Sequence, residues 1–430
     1  MDNERTIAFH TLGCKLNFSE TDAISRDGLR DGYRVVPFTQ AADIYVINSC
    51  TVTRNAEKRC KSLIRQAMKS NPSAHVAVIG CYSQIKPDEI SALPGVSMVL
   101  GNADKFNLFE HLKSLETGSY QSTPGQETQH QPEAFVPSYS MDGRTRSFFK
   151  IQDGCDYMCA YCTIPMARGK SRSQSVVATL ETARQIAGTN MKEVVLTGVN
   201  IGDFGKHHDE SFFDLLRELV RIDGLDRIRL SSIEPDLLHD DIIRLVADEP
   251  KLMPHFHLPL QSGSDNVLKA MGRRYDTRLF AGRIDAIRKH IPHACIAADL
   301  IVGFPGESEA LFRESARFIS DADVSYLHVF TFSERDNTPA GRSLDQVPSI
   351  ERKIRSKEMQ AISARKKQVF ILANKGLTTS VLWEKEQQHG FMYGFTENYL
   401  KVKTLYNEHL ANQITTVELN NTDPKGVYII

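Results

Sequence analysis

The chain is 430 residues long, with 41% hydrophobic residues, 24% charged residues and a formal net charge of -1. This is the make-up of an ordinary globular protein with ample core, and the length suits about three domains. The balanced charge argues against a general polyanion binder but leaves room for a local basic surface.

Eight cysteines are too sparse for a disulfide scaffold in so long a chain, so their placement reads as metal binding in a reducing compartment. No apolar signal core or membrane-spanning run occurs, which points to the cytoplasm and to no membrane partner. In the first domain, residues 3–116, three apolar runs each end at a cysteine. Thr6-Ile7-Ala8-Phe9 leads to Cys14, Ile44-Tyr45-Val46-Ile47 to Cys50, and Val76-Ala77-Val78-Ile79 to Cys81. Helix-like segments around 18–30 and 54–69 lie between them, so parallel βαβ units are expected. Strand carboxyl ends share one edge of such a sheet, where ligands bind, and the three thiols are expected to gather there. The bland alternative is buried cysteine used as a small hydrophobe. Cys60, inside a charged helix, and Cys295, opening a strand, are assigned to that structural class. The basic run from Arg54 to Lys69 reads as a solvated helix face or a phosphate contact.

Residues 117–141 are rich in Gln, Ser, Thr and Pro without an apolar period, and read as a linker. The central domain, 142–370, opens on the strand-like run Phe148-Phe149-Lys150-Ile151. It delivers Gly154-Cys155-Asp156-Tyr157-Met158-Cys159-Ala160-Tyr161-Cys162, a CxxxCxxC loop. Three thiolates in eight residues suit a soft metal or an iron–sulfur cluster. No fourth ligand lies nearby, so one metal position stays open unless the last ligand of a zinc knuckle comes from elsewhere. Further strand-like runs at 193–198, 227–232, 255–260, 295–303 and 326–332 alternate with amphipathic helical segments, a barrel-like pattern with chemistry at the strand carboxyl ends. Gly198, Asn200, Ser232, Glu234, Gln261, Asp299 and Gly303 stand there as candidate cofactor contacts, against the alternative of capping and turn roles. His255 and His257 alternate on one strand, and with no third ligand in register they read as barrel-wall histidines.

A basic helical stretch, 351–368, precedes the last domain, 373–430. Its short β-branched and aromatic runs between Gly, Asn and Asp turns suggest a small barrel of the oligonucleotide-binding kind. Tyr399, with Lys401 and Lys403, resembles a stacking-plus-phosphate surface, unless the aromatics fill the barrel core. Arg168, Arg172, Arg273 and Arg274 are further candidates for RNA-phosphate or carboxylate contact.

The CxxxCxxC spacing with Tyr161 resembles the signature of radical S-adenosylmethionine (SAM) enzymes. The three-part order resembles the methylthiotransferases of that superfamily, through stretches such as TLGCKLN, INSCTVT, VIGCYSQ, KIQDGCDYMCAYC, LTGVNIG, HFHLPLQSGS and DLIVGFPGE. That resemblance implies an α/β protein: an amino-terminal parallel-sheet domain, a central open (βα)6 partial TIM barrel and a small C-terminal TRAM β-barrel. It also implies two [4Fe-4S] clusters, one on Cys155, Cys159 and Cys162 that binds SAM, the other on Cys14, Cys50 and Cys81. Of the candidate cofactor contacts, Tyr161 joins the strand-end residues through it. The implied substrate is N6-threonylcarbamoyladenosine in the tRNA anticodon loop; sister branches act on isopentenyladenosine or on an aspartate of a ribosomal protein. An electron donor such as flavodoxin or ferredoxin is implied, with the sulfur source left open. A rival of another class is a non-catalytic iron–sulfur RNA-binding protein.

Overall fold

The computed structural model describes residues 5–117, 132–141, 145–335 and 337–430. Most of the expected linker, 118–131, lies outside the described residues. The chain divides into two compact units. The first holds 1–140, 148–157 and 162–172; the second holds 141–147, 158–161 and 173–430. The expected boundary at 142 lies outside the described residues, beside the first division at 140/141. Both flanks of the cysteine loop group with the amino-terminal residues, for a reason given below.

The first unit is built on a five-stranded parallel sheet. Its spatial order is Arg34–Val35, Thr6–Thr11, Ile44–Ser49, His75–Gly80, Val96–Leu100. This is a doubly wound order. The direction of strand succession reverses between Thr6–Thr11 and Ile44–Ser49, the place where open α/β sheets bind ligands. The strand Ile44–Ser49 is buried at every position, as a central parallel strand must be. One sheet face packs on the helix Arg54–Ser70, through Cys60, Leu63, Ile64 and Ala67 at helical spacing. Thr53 caps that helix by accepting from Ala56 N–H at 3.2 Å. The other face packs on Ile24 of the helix Lys15–Arg30 and on Leu108, Phe109 and Leu112.

All six expected central strands form: Arg146–Lys150, Glu193–Thr197, Arg227–Leu230, His255–Gln261, Cys295–Val302 and Tyr326–Thr331. In the second unit, Glu193–Thr197 pairs in parallel with Arg227–Leu230. The last three strands make a second parallel sheet. Parallel bridges from Ile228 to Leu252 and from Ser232 to His257 join the two runs. Helices alternate with the strands throughout, so the central region is the expected βα-repeat architecture.

The C-terminal region is a small, mostly antiparallel six-stranded β domain around Trp383, Val381, Met392, Val402, Leu419 and Tyr428. Arg229 anchors it. Its guanidinium pairs with Glu193 at 2.8 Å and donates to the Glu397 carbonyl at 2.9 Å. Among the described residues, no helix is long and apolar enough to cross a membrane.

Candidate functional site

The three scattered cysteines converge in the first unit. Cys14 follows the first strand and caps the helix Lys15–Arg30; Cys50 follows Ile44–Ser49; Cys81 opens the short helix Cys81–Ile85. Cys14 and Cys50 thus flank the point where the sheet order reverses. Gly13, at φ +97°, lets the chain pass there: a Cβ on it would sit 2.8 Å from Cys50 Sγ. Burial pushes the Cys50 thiol up to about 12, and the neighbouring sulfurs of Cys81 and Cys14 push the same way. Three crowded thiols resist ionising together unless a cation joins them, as expected of a site whose metal displaces protons. Val52 N–H points at Cys50 Sγ (3.5 Å), and Asn102 Nδ2 donates to Cys81 Sγ (3.6 Å). A soft-metal cluster fits this donor set.

Beneath the thiols lies a buried charge network that sequence reading missed. Glu20, fully buried, accepts from Lys105 at 2.6 Å, Lys150 at 3.0 Å and both terminal nitrogens of Arg168 at 3.0 and 3.1 Å. Asp153 accepts from Arg168 and from Arg172, each at 2.9 Å. Arg168 also donates to Asn17 Oδ1 at 2.6 Å, and Asn17 in turn bonds the carbonyls of Leu12 and Ser49 at the two strand ends. These bonds explain why both flanks of the cysteine loop belong to the first unit. Burial alone would raise the Glu20 carboxyl; Arg168, Lys105 and Lys150 together hold it well below the usual carboxylate range. Burial drops Lys105 to about 8 against the pull of Glu20. Four cations thus face two carboxylates beside three thiols; Arg168 pulls the Cys14 and Cys50 thiols down, but burial outweighs it and both stay raised. Asn17, Glu20, Thr21 and Ile24 share one helix face, and that polar stripe at core spacing was the available signal.

The CxxxCxxC loop is pinned by its own backbone. Cys155 N–H donates to the Gly169 carbonyl at 3.0 Å, and Ser171 N–H donates to Asp156 at 3.0 Å. Gly154, at φ +72°, admits no side chain, since a Cβ would meet the Lys170 carbonyl oxygen at 1.9 Å. Each sulfur of the loop has a donor aimed at it. Tyr157 N–H points at Cys155 and Ile164 N–H at Cys162, both at 3.4 Å, and Arg273 Nη1 donates to Cys159 at 3.1 Å. Donors to all three sulfurs fit cluster ligation, where such bonds tune the potential.

Arg273 gathers the rest. It bonds Tyr161 Oη at 3.4 Å, Tyr275 Oη at 3.1 Å and the Glu234 carboxylate. Burial lifts Glu234 to about 7 despite Arg273, because Asp236, Asp203 and Asp299 add repulsion. Asn200 holds this acidic corner together, donating to Asp203 at 3.1 Å and accepting from Glu234 N–H at 3.4 Å. Glu234, Asn200 and Tyr161 are therefore brought to the environment of Cys159. Ser232, Gly198 and Gln261 lie at their strand ends as expected, with Gln261 at φ +67°. Gly303 is different: a Cβ there would strike Arg352 Cγ at 2.3 Å, so Arg352 is what makes a close approach.

Four of the five expected RNA contacts are engaged within the protein. Arg168 is 1% exposed and wholly engaged, so it is not an RNA contact. Arg172 is spent on Asp153 and on the carbonyls of Arg168 and Ala134. Tyr399, at φ +67°, stacks on Phe395 at 4.8 Å and lies against the guanidinium of Arg229, which makes it a half-buried packing residue. Lys403 pairs with Asp423 at 2.6 Å. Lys401 stays exposed, its ammonium 4.0 Å above the Tyr393 ring. His257 gains partners that its strand alone did not disclose, Asp299 and His328.

The parallel βα core carrying a CxxxCxxC loop defines a radical SAM protein. The Radical SAM superfamily matches residues 149–319, and the family described as "Uncharacterized protein family UPF0004" matches residues 6–101. In fold the chain resembles the radical S-adenosylmethionine methyltransferase TsrM from Kitasatospora setae, with TM-score 0.58 and 13% identity over 79% of this chain and 77% of that one. Among curated proteins it is 37% identical to the threonylcarbamoyladenosine tRNA methylthiotransferase MtaB of Bacillus subtilis, over 96% of this chain and 93% of that protein. It is 36% identical to that of Thermotoga maritima (98% and 96%), and 28% identical to a tRNA-2-methylthio-N(6)-dimethylallyladenosine synthase of Staphylococcus haemolyticus (98% and 84%). The chain belongs to the radical SAM methylthiotransferase family, in the group of the MtaB proteins.

Proposed function

We propose that this protein converts N6-threonylcarbamoyladenosine, next to the tRNA anticodon, to its 2-methylthio derivative. The observation that carries this reading is the convergence of Cys14, Cys50 and Cys81 on the ligand-binding edge of a doubly wound sheet, in a chain that also has a complete CxxxCxxC site. A non-catalytic RNA-binding protein would have no use for two open three-thiol sites. The identity of the curated relatives supports the threonylcarbamoyl substrate over the isopentenyl one.

When bound, the two clusters and SAM supply the radical and the methylthio group. The chain's own residues position and shield. Cys155, Cys159 and Cys162 would hold one cluster, with Arg273 and two backbone N–H groups steadying the sulfurs. Cys14, Cys50 and Cys81 would hold the other, above the positive charge of Arg168, Lys105 and Lys150. Glu234, held by Arg273 and surrounded by carboxylates, is the polar group best placed to receive the amino group of SAM. Holding substrate in one orientation, away from water, is the protein's main contribution. Exposed Lys401, lying over the Tyr393 ring, and the exposed cations of residues 351–368 serve as tRNA contacts. A tRNA substrate puts the enzyme in the cytoplasm, and a low-potential donor such as flavodoxin or ferredoxin supplies the electron.

The test is nucleoside mass spectrometry of tRNA from a deletion strain that has no second enzyme of this kind. Loss of 2-methylthio-N6-threonylcarbamoyladenosine, with its precursor accumulating, is the expected result. Persistence of the methylthio product would sink the assignment.

A further inference from the structure

The strands His255–Gln261, Cys295–Val302 and Tyr326–Thr331 lie side by side, and their register sets Asp299 opposite both Pro259 and His328. A polar trio results. His257 Nε2 stands 2.8 Å from Asp299 Oδ1, and the rings of His257 and His328 are 5.4 Å apart. Ligating atoms of all three side chains lie within 4.8 Å of one another. Tyr326, two residues before His328 on the same strand face, sets its ring edge-on to it at 5.3 Å. The side chains of His257 and Asp299 keep 20% and 21% of their surface open, and His328 is exposed. Asp299 also acts electrostatically on Glu234, which Arg273 joins to Cys159. Asp299 therefore lies near enough to act on the residue that Arg273 joins to Cys159.

We propose that His257, Asp299 and His328 read the polar substituent on N6 of the substrate adenosine. This rests on the function proposed above and adds the residues that select the substrate. A threonylcarbamoyl group carries a carboxylate, a hydroxyl and urea N–H groups. Imidazole N–H groups donate to the carboxylate; Asp299 accepts from the hydroxyl or a urea N–H. Asp299 is held against His257, so its charge is partly satisfied, and His328, the outermost member, meets the carboxylate. An isopentenyl group has no donor or acceptor. Docking it would strip water from three polar side chains and return nothing, which is the arrangement that rejects an analogue most strongly. All three residues sit on sheet strands, so the wall is rigid before substrate arrives.

The same donors, two imidazoles and a carboxylate, are a known set for a divalent transition metal. The experiment separates the two occupants. The cluster-loaded enzyme is given one tRNA in two forms, bearing threonylcarbamoyladenosine or isopentenyladenosine, and the ratio of kcat/KM for the two is measured. A ratio taken on one protein sample is insensitive to partial loss of folded or loaded enzyme. His328→Leu is expected to cut the wild-type preference by about tenfold or more, mainly through KM, and His328→Gln, which keeps a donor, to restore part of it. An unchanged ratio in His328→Leu overturns the proposal. So does a wild-type ratio that collapses after brief EDTA treatment and returns with Mn2+, since a metal would then be the reader. Absence of product from the threonylcarbamoyl tRNA with wild-type enzyme would instead count against the function itself.

Discussion

Burial and three nearby carboxylates raise Glu234 to about 7, although Arg273 donates to it. In the unfolded chain the same carboxyl titrates near the ordinary glutamate value of about 4.3. The folded state therefore binds this proton more tightly than the unfolded state. The stability it contributes is full below the unfolded value and is lost as pH rises toward 7. In the cluster-free protein, wild type should lose about 2–3 kcal/mol relative to Glu234→Gln between pH 4.5 and 7.5, read from urea midpoints. A difference that stays flat with pH would show that Arg273 already neutralises the site. At this scale sequence reading was uneven. Glu234 and Asn200 were visible as polar residues just past strands. Arg273 was visible only as one arginine among several, because Cys159, Tyr161 and Glu234 reach it from two stretches distant along the chain.

The helix Ser349–Ala373 shows how an element divides its charges. Arg352 and Arg355 are buried; Arg352 pairs with Glu334 at 2.8 Å and Arg355 with Glu307 at 2.8 Å. Lys353, Lys357, Arg365 and Lys367 are exposed. The basic bias read from the sequence is thus two populations, one structural and one facing solvent. Changing the four exposed residues to Gln should weaken tRNA binding and reduce the slope of log affinity against log salt by about 0.7–0.9 for each phosphate no longer neutralised. A slope equal to that of wild type would move tRNA binding to another surface. Strands were the most legible elements, since short runs rich in β-branched and aromatic residues, spaced by helical segments, announce themselves. The small β domain was legible as strands, yet its attachment was not: nothing along the strand-like run 227–232 shows that Arg229 is buried against Glu193 and the Glu397 carbonyl.

For the whole molecule, the two cysteine trios have separable roles. Cys159→Ala should abolish both reductive SAM cleavage and methylthio product. Cys50→Ala should abolish product while leaving abortive SAM cleavage, and should lower iron by about four per chain if that trio holds a four-iron cluster. Full product formation by Cys50→Ala would remove the second trio from the reaction. The buried network that Glu20 centres carries a related cost: removing one partner of a buried charge cluster typically destabilises by about 3–5 kcal/mol. Arg168 and Glu20 are therefore poor choices for probing chemistry, since loss of activity there would be confounded by loss of fold.

The amino-acid sequence by itself determined the strand and helix succession, the two sets of three cysteines and, through its motifs, the family. Those features are local, set by hydrophobic period and by spacing along the chain. Only the tertiary structure decided that Arg168 lies under the thiols instead of on an RNA surface, that Tyr399 packs against Phe395, and that His257 meets Asp299 and His328. Each of those facts depends on which strands and helices become neighbours. A buried ion pair or a polar trio is assembled across separate stretches, where no pattern along one stretch can announce it.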